Sequence, residues 1–167
     1  MTGLVVWFTG LPSSGKSTLA ERVAAEVGDH AHVVLLDGDE VRAALRPVPG
    51  YGDEERDAFY ETLARLAALL ARQGAVVLVP ATAHLEAFRQ RARRLAPSYL
   101  EVFVDTPLEE CRRRDPKGLY ARAEAKLPGA GVAYEVPRDP ELVISPDDQG
   151  GAARVASAIF AFQRTVN

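Results

Sequence analysis

A strand-length apolar run that leads straight into a glycine-framed loop constrains this chain more than any other feature. Leu4-Val-Val-Trp-Phe-Thr9 is followed by Gly10, Leu11, Pro12, Ser13, Ser14, Gly15, Lys16 and Ser17, and Thr18 continues into an amphipathic stretch that reaches Val27. The eight residues from Gly10 match G-x-x-x-x-G-K-[ST] at every fixed position. The glycines let backbone N–H groups close around a phosphate, and the following helix aims its positive end at it. Lys16 has the reach for β- and γ-phosphates, and the Ser17 hydroxyl suits the oxygen shell of a magnesium ion. Gly10–Thr18 is therefore read as a nucleotide-phosphate site.

The alternation continues toward the C-terminus. Apolar runs at Leu4–Thr9, Val33–Leu36, Ala75–Val79, Leu100–Val104 and Leu142–Ile144 are rich in Val and Leu, as strands buried on both faces are. Helical patterns fill the intervals at Lys16–Val27, Glu40–Leu45, Asp53–Gln73, Leu85–Leu95, Pro107–Arg114 and about Ala152–Gln163. Strands alternating with helices predict an α/β fold of the P-loop NTPase type: three layers, with a central five-stranded parallel sheet and helices on both faces. The length, residues 1–167, fits a single domain. Only Asp115–Asp139 breaks the rhythm, with proline, glycine and charge but no sustained period, and it is read as a lid.

Twenty Lys+Arg against 23 Asp+Glu leave a net charge of −3, which gives no electrostatic reason for a nucleic-acid partner. No apolar run is long enough for a bilayer and the N-terminus lacks a basic leader, so a cytoplasmic protein with no membrane partner is expected. The single cysteine, Cys111, excludes an internal disulfide and a cysteine-based zinc cluster, and at helical spacing beside Leu108 it reads as a buried structural thiol. Lys16, Lys117 and Lys126 are the only lysines, so this arginine-rich chain keeps lysine only in the phosphate loop and the lid.

The second apolar run ends in Leu35-Leu36-Asp37-Gly38-Asp39, followed by Glu40-Val41-Arg42. Carboxylates at the C-terminal edge of a parallel strand face the same crevice as the phosphate loop. One can support a metal shell and one can orient or deprotonate an attacking hydroxyl; either can instead cap the next helix. Arg42, one turn on, can meet an anion. Arg112, Arg113 and Arg114 enter the lid, where a cation can neutralise charge on a transferring phosphoryl group. Tyr120 and Tyr134 can line the crevice or anchor the lid. His84 stands between acceptor contact and helix start, and Arg89, Arg91, Arg93 and Arg94 are read as a solvated basic face.

Together these segments resemble the adenylylsulfate kinases. The resemblance is carried by Trp7-Phe-Thr-Gly-Leu-Pro-Ser-Ser-Gly-Lys-Ser-Thr-Leu-Ala, Leu36-Asp-Gly-Asp-Glu-Val-Arg, Val102-Phe-Val-Asp-Thr-Pro-Leu-Glu-Glu-Cys, Arg114-Asp-Pro-Lys-Gly-Leu-Tyr and Tyr134-Glu-Val-Pro-Arg-Asp-Pro-Glu-Leu-Val. It implies ATP and Mg²⁺ as cofactors and phosphoryl transfer to the 3′-hydroxyl of adenosine 5′-phosphosulfate in sulfate assimilation. It also implies Asp39 as the group that handles the acceptor hydroxyl, Asp37 and Ser17 at the metal, and Lys16 and Arg114 on the transferring phosphate. Lys117 falls on the ATP side, while Arg42, Tyr51, Arg56 and Leu119 fall on the acceptor side. Members of the family commonly pair, so a homodimer is the expected assembly.

Several acceptor-side positions depart from the family pattern. Phe59 stands at an asparagine, Glu61 at an arginine, Thr82-Ala-His-Leu-Glu86 at Ile-Ser-Pro-Tyr-Arg, and Leu127 at the phenylalanine that sandwiches adenine. Two rival readings therefore stand beside the first: a related kinase acting on another nucleotide-like or hydroxyl metabolite, and a nucleotide-binding domain without catalysis. Lys16→Ala is expected to abolish turnover while the far-ultraviolet circular dichroism stays native; near-normal turnover would remove the phosphate-loop reading.

Overall fold

Strand β1 (Leu4–Thr9) lies at the centre of the sheet, and all six of its residues are buried. In the computed structural model, which describes residues 3–122 and 126–166, it is followed by α1 (Lys16–Val27), β2 (Val33–Leu35), α2 (Gly38–Ala44) and α3 (Asp53–Arg72). Next come β3 (Val76–Pro80), α4 (Glu86–Leu95), β4 (Tyr99–Val104) and α5 (Leu108–Arg114). Two two-residue strands, β5 (Leu127–Pro128) and β6 (Gly131–Val132), precede β7 (Leu142–Ile144) and α6 (Gly151–Val166). Residues 123–125, inside the lid segment, lie outside the described residues.

The main sheet runs β2-β3-β1-β4-β7, and every pairing in it is parallel. Alternation along β1 sorts its side chains to two faces. Leu4, Val6 and Phe8 join residues of α1 and α6 in one core, while Val5 and Trp7 join residues of α3 and α4 in the other. Each large apolar side chain so buried contributes about 1.5–3 kcal/mol, which makes the five-stranded, three-layer architecture the outcome of the apolar runs. Among the described residues no helix is long and apolar enough to cross a membrane.

The order of the strands places the site. The chain moves from β1 toward β2 and β3 on one side and toward β4 and β7 on the other, so connections diverge at the C-terminal end of β1. A crevice opens at such a switch point. The loop after β1, the Asp37–Asp39 turn after β2 and the loop after β3 all end there.

Most element bounds agree with the sequence pattern to within a residue. Helix α2 differs because it starts at Gly38, two residues before the expected Glu40: the Asp37 carboxylate accepts from the Asp39 N–H at 2.9 Å and caps it. Asp39 therefore rides in the first helical turn. The solvated basic face on α4 is also corrected. Arg89 is fully buried, Arg91 pairs with Asp57 at 2.7 Å and Arg93 with Glu141 at 2.5 Å, leaving only Arg94 exposed. Carboxylates and carbonyls from α3, the 83–86 turn and the 135–141 segment reach that face, and no helical period reveals such distant partners. Glu61 likewise turns away from the crevice to pair with Arg65 and Arg91.

One buried hydrogen bond locks β1 to the loop after β3: the Trp7 indole N–H donates to the Ala81 carbonyl at 3.1 Å. Trp7→Phe removes that donor and leaves a small cavity, at an expected cost of about 2–4 kcal/mol. Urea unfolding measures this as a lower midpoint with an unchanged slope; a loss below about 0.5 kcal/mol would show that the bond carries no net stability.

Candidate active site

The loop after β1 is closed around the Lys16 side chain. Its ammonium donates to the Gly10 carbonyl at 3.0 Å, the Leu11 carbonyl at 2.7 Å and the Ser14 hydroxyl at 3.4 Å. The two fixed glycines are required for different reasons, one steric and one conformational. A Cβ on Gly10 would lie 2.6 Å from the Val104 carbonyl, and Gly15 has φ +98°, a left-handed conformation that suits glycine. Burial lowers the Lys16 pKa to about 8 despite the nearby Asp39 and Asp37 charges. From outside, the Thr106 hydroxyl donates to the Ser14 carbonyl at 2.8 Å and fastens the loop to the exit of β4. Pro12 is buried, Ser13 is half-buried in a left-handed turn, and Thr18 is exposed in the first turn of α1.

Ser17 and Asp37 meet across the crevice, the serine hydroxyl donating to Asp37 Oδ2 at 2.5 Å. Asp37 uses its two oxygens separately: Oδ1 caps α2 and Oδ2 faces Ser17. The sequence left metal support and helix capping open; this carboxylate can do both. A hydroxyl and a carboxylate oxygen at the phosphate loop suit Mg²⁺, which takes one or two protein oxygens and completes its shell with phosphates and water. Among the described residues no cluster of three or more His, Cys, Asp or Glu forms a metal cage.

Asp39, mostly exposed, is paired with Lys117 of the lid. That carboxylate, first as hydrogen-bond acceptor and then by its charge, raises the Lys117 pKa despite partial burial. Beyond it, Arg42 and Arg56 flank one aromatic ring. The Arg42 guanidinium lies 4.4 Å from the Tyr51 ring centroid and 4.0 Å from that of Phe59, and Arg56 lies 5.9 Å from Tyr51. Arg42 also donates to the carbonyls of Pro49 at 3.2 Å and Gly50 at 2.8 Å. The Glu55 carboxylate accepts from the Gly50 and Gly52 N–H groups and sets the turn that presents Tyr51. Phe59, one of the departures from the family pattern, is thus the floor beneath Arg42.

The segment read from the sequence as a lid is fastened to both sides of the crevice. The Tyr120 hydroxyl donates to the Pro12 carbonyl at 2.7 Å, and Arg56 donates to the Lys126 carbonyl at 2.6 Å. A Cβ on Gly129 would lie 2.8 Å from Leu11, so the lid lies against the phosphate loop itself. The Asp115 carboxylate accepts from the Tyr120 and Ala121 N–H groups and shapes the turn that carries half-buried Leu119. Tyr134 donates to the Thr9 hydroxyl at 2.9 Å while Thr9 donates to the Thr82 carbonyl at 2.6 Å, and burial pushes the Tyr134 phenol up to about 12. Both tyrosines are anchors. Arg114 is held by Glu110 at 2.8 Å with its Nη1 3.6 Å from a Cβ built on Gly15, beside the phosphate loop. Leu127 is half-buried in β5, and Cys111 is buried with its thiol pKa raised by that burial.

The structure therefore brings Lys16, Ser17, Asp37, Asp39, Lys117 and Arg114 to one end of the crevice and Arg42, Tyr51 and Arg56 to the other. Thr9 and Thr106 lie within the segments that carry the resemblance, but the supporting contacts of Thr9, Thr106 and Tyr60 were not legible, because each works through a partner about 20 or more positions away. His84 is buried against Phe88 and Tyr60, and burial lowers its pKa.

Similarity to known proteins agrees with this arrangement. The sequence matches the family model for adenylylsulphate kinase over residues 2–145. The chain belongs to the adenylylsulphate kinase family. It is 42% identical over 152 residues to an adenylyl-sulfate kinase of Synechococcus sp., covering 88% of this chain and 87% of that one. It is 45% identical over 145 residues to the bifunctional enzyme NodQ of Azospirillum brasilense, but spans only 23% of that protein's length. The fold superposes on the APS kinase CysC of Mycobacterium tuberculosis, solved with AMPPNP and APS, with a TM-score of 0.86, 36% identity and 98% coverage of both chains.

Because a nucleotide phosphate attracts only the ammonium form of Lys16, a pKa of about 8 in the free protein makes nucleotide affinity pH-dependent. Below that pH the lysine is already charged and affinity is flat. Above it, binding must take up a proton, so the dissociation constant for ATP is expected to rise about tenfold per pH unit from pH 8.5 to 10. Calorimetric titration across that range checks the slope; a constant affinity to pH 9.5 would contradict the burial effect.

Proposed function

We propose that this member of the family transfers the γ-phosphoryl group of ATP to the 3′-hydroxyl of adenosine 5′-phosphosulfate, giving 3′-phosphoadenosine 5′-phosphosulfate. The observation that carries this reading is the Asp39 carboxylate, paired with Lys117 at the Lys16 end of the crevice and borne on the same helix, α2, as Arg42 of the Arg42–Tyr51–Arg56 group. A nucleoside bearing a charged 5′ tail matches the second setting: Tyr51 offers a face for a base, and the two guanidinium groups offer charge for the tail. Both the complex of the Mycobacterium tuberculosis relative with APS and the name of the Synechococcus relative support that acceptor.

Phosphoryl transfer is governed by positioning and by neutralising charge on the moving group. Lys16 binds the β- and γ-phosphates, and Arg114 adds charge from the side of Gly15. Ser17 and Asp37 would hold Mg²⁺, which supplies charge neutralisation between those phosphates. Asp39 accepts the proton of the acceptor hydroxyl or orients it, once Lys117 has turned from Asp39 toward the nucleotide. Arg42 and Arg56 clamp the anionic tail, and Leu119 closes over the acceptor. The lid then keeps water from competing as a nucleophile.

The same reading is compatible with a homodimer, since members of the family commonly pair, and it takes the protein as cytoplasmic. A coupled assay of ADP release compares adenosine 5′-phosphosulfate with AMP, other nucleotides and small alcohols. Turnover is expected with the first, and Asp39→Asn is expected to lower kcat by about 10²–10⁴ while nucleotide binding persists. A clear rate with another acceptor and none with adenosine 5′-phosphosulfate would replace the substrate; tight ATP binding with no acceptor response would replace the enzyme by a binding domain.

A further inference from the structure

Beside the end of β1, where Trp7 and Thr9 donate to the Ala81 and Thr82 carbonyls, the crevice is walled by the turn of residues 81–84 that joins β3 to α4. Its centre is strained. Ala83 has φ +43° and is fully buried, a left-handed conformation that an alanine keeps only when its surroundings enforce it. Both of its backbone groups are held by side chains. The N–H donates to the Tyr60 hydroxyl at 3.0 Å, and the carbonyl accepts from Arg89 Nη1 at 2.5 Å.

Arg89, fully buried, extends this hold to the lid. Its Nη2 donates to Glu86 Oε2 and to the Glu135 carbonyl, each at 2.6 Å. Glu135 closes the circuit: its N–H donates to the His84 carbonyl at 2.8 Å, and its carboxylate accepts from the Glu86 N–H at 2.6 Å, at the start of α4. The wall and the end of the lid are thus one hydrogen-bonded unit.

That unit borders the elements assigned to the acceptor. A Cβ on Gly38 would lie 3.1 Å from the Ala81 Cβ, so the wall abuts α2, which carries Asp39 and Arg42. Tyr60 lies one turn beyond Arg56 on α3. None of these hydrogen bonds involves Lys16 or Ser17.

We infer that Arg89, together with Tyr60 and Glu135, acts as a set of positioning residues that fixes the 81–84 wall and the lid exit in the geometry that receives the phosphoryl acceptor. The inference rests on the phosphoryl-transfer reading for its acceptor. It distinguishes this clamp from a plain scaffold: the clamp affects acceptor binding and leaves ATP binding alone.

Tyr60→Phe and Glu135→Ala test it, since one removes a hydroxyl and the other an exposed carboxylate. In each, the KM for adenosine 5′-phosphosulfate is expected to rise about tenfold, with the KM for ATP and kcat within about twofold. Glu135→Gln, which keeps an acceptor for the Glu86 N–H, is expected to restore the wild-type KM. Hydrogen exchange on the substrate-free proteins supplies a readout without turnover: about tenfold faster exchange of the Ala83 amide in Tyr60→Phe and of the Glu86 amide in Glu135→Ala. Equal changes in both KM values, no change in either, or faster exchange with an unaltered acceptor KM would each overturn the inference. If the wild-type protein shows no turnover with adenosine 5′-phosphosulfate, the functional reading fails; the clamp then falls on unchanged exchange at those amides, or on an unaltered KM for the acceptor that the ADP-release assay does identify.

Discussion

An ammonium ion held inside a loop of backbone carbonyls is the constraint on which the site depends. Lys16 can be held by the Gly10 and Leu11 carbonyls only if the loop closes tightly, and a tight loop tolerates no side chain at Gly10. The closed loop in turn needs rigid ends. Central strand β1 supplies one, buried along its whole length, and Thr106 holds the turn from the exit of β4. Burial leaves the ammonium short of solvation, and a phosphate restores what water would have given. The loop is therefore organised for an anion before one arrives.

Lysine and arginine divide the remaining work by shape. A compact ammonium suits the enclosed loop and the single contact between Lys117 and Asp39. A planar guanidinium suits the places where two or three directions must be held at once. Arg42 shows this beside α3, stacked between Tyr51 and Phe59 while donating to two carbonyls. Arg89 shows it in the wall, joining a strained turn, a helix start and the end of the lid. The arginine-rich composition thus has structural uses beyond surface charge, because the buried arginines satisfy backbone carbonyls that would otherwise lack partners.

The lid is tied to the two ends of the crevice by different contacts. Tyr120 and Gly129 hold it to the phosphate loop, while Arg56 holds the Lys126 carbonyl at the other end of the crevice. Arg56 therefore serves both the lid and the proposed substrate tail.

The sequence by itself determined the layers and the phosphate end of the site. Continuous apolar runs that alternate with helices suit strands of a parallel sheet covered on both faces, and the loop from Gly10 to Ser17 works through contacts among neighbours in sequence. The place of Asp37 and Asp39 was also legible, because the end of a parallel strand fixes the edge at which they emerge. Which oxygen of Asp37 capped α2 and which met Ser17 was not, since a carboxylate's partners depend on the approach of α1. The sequence could not show that Arg89 is buried, that Phe59 supports Arg42, or that Glu61 turns outward; their partners lie on other elements or across the helix surface. Local pattern fixed what repeats along the chain, and tertiary structure alone decided which distant charges and carbonyls would meet, because those contacts exist only once the layers have packed.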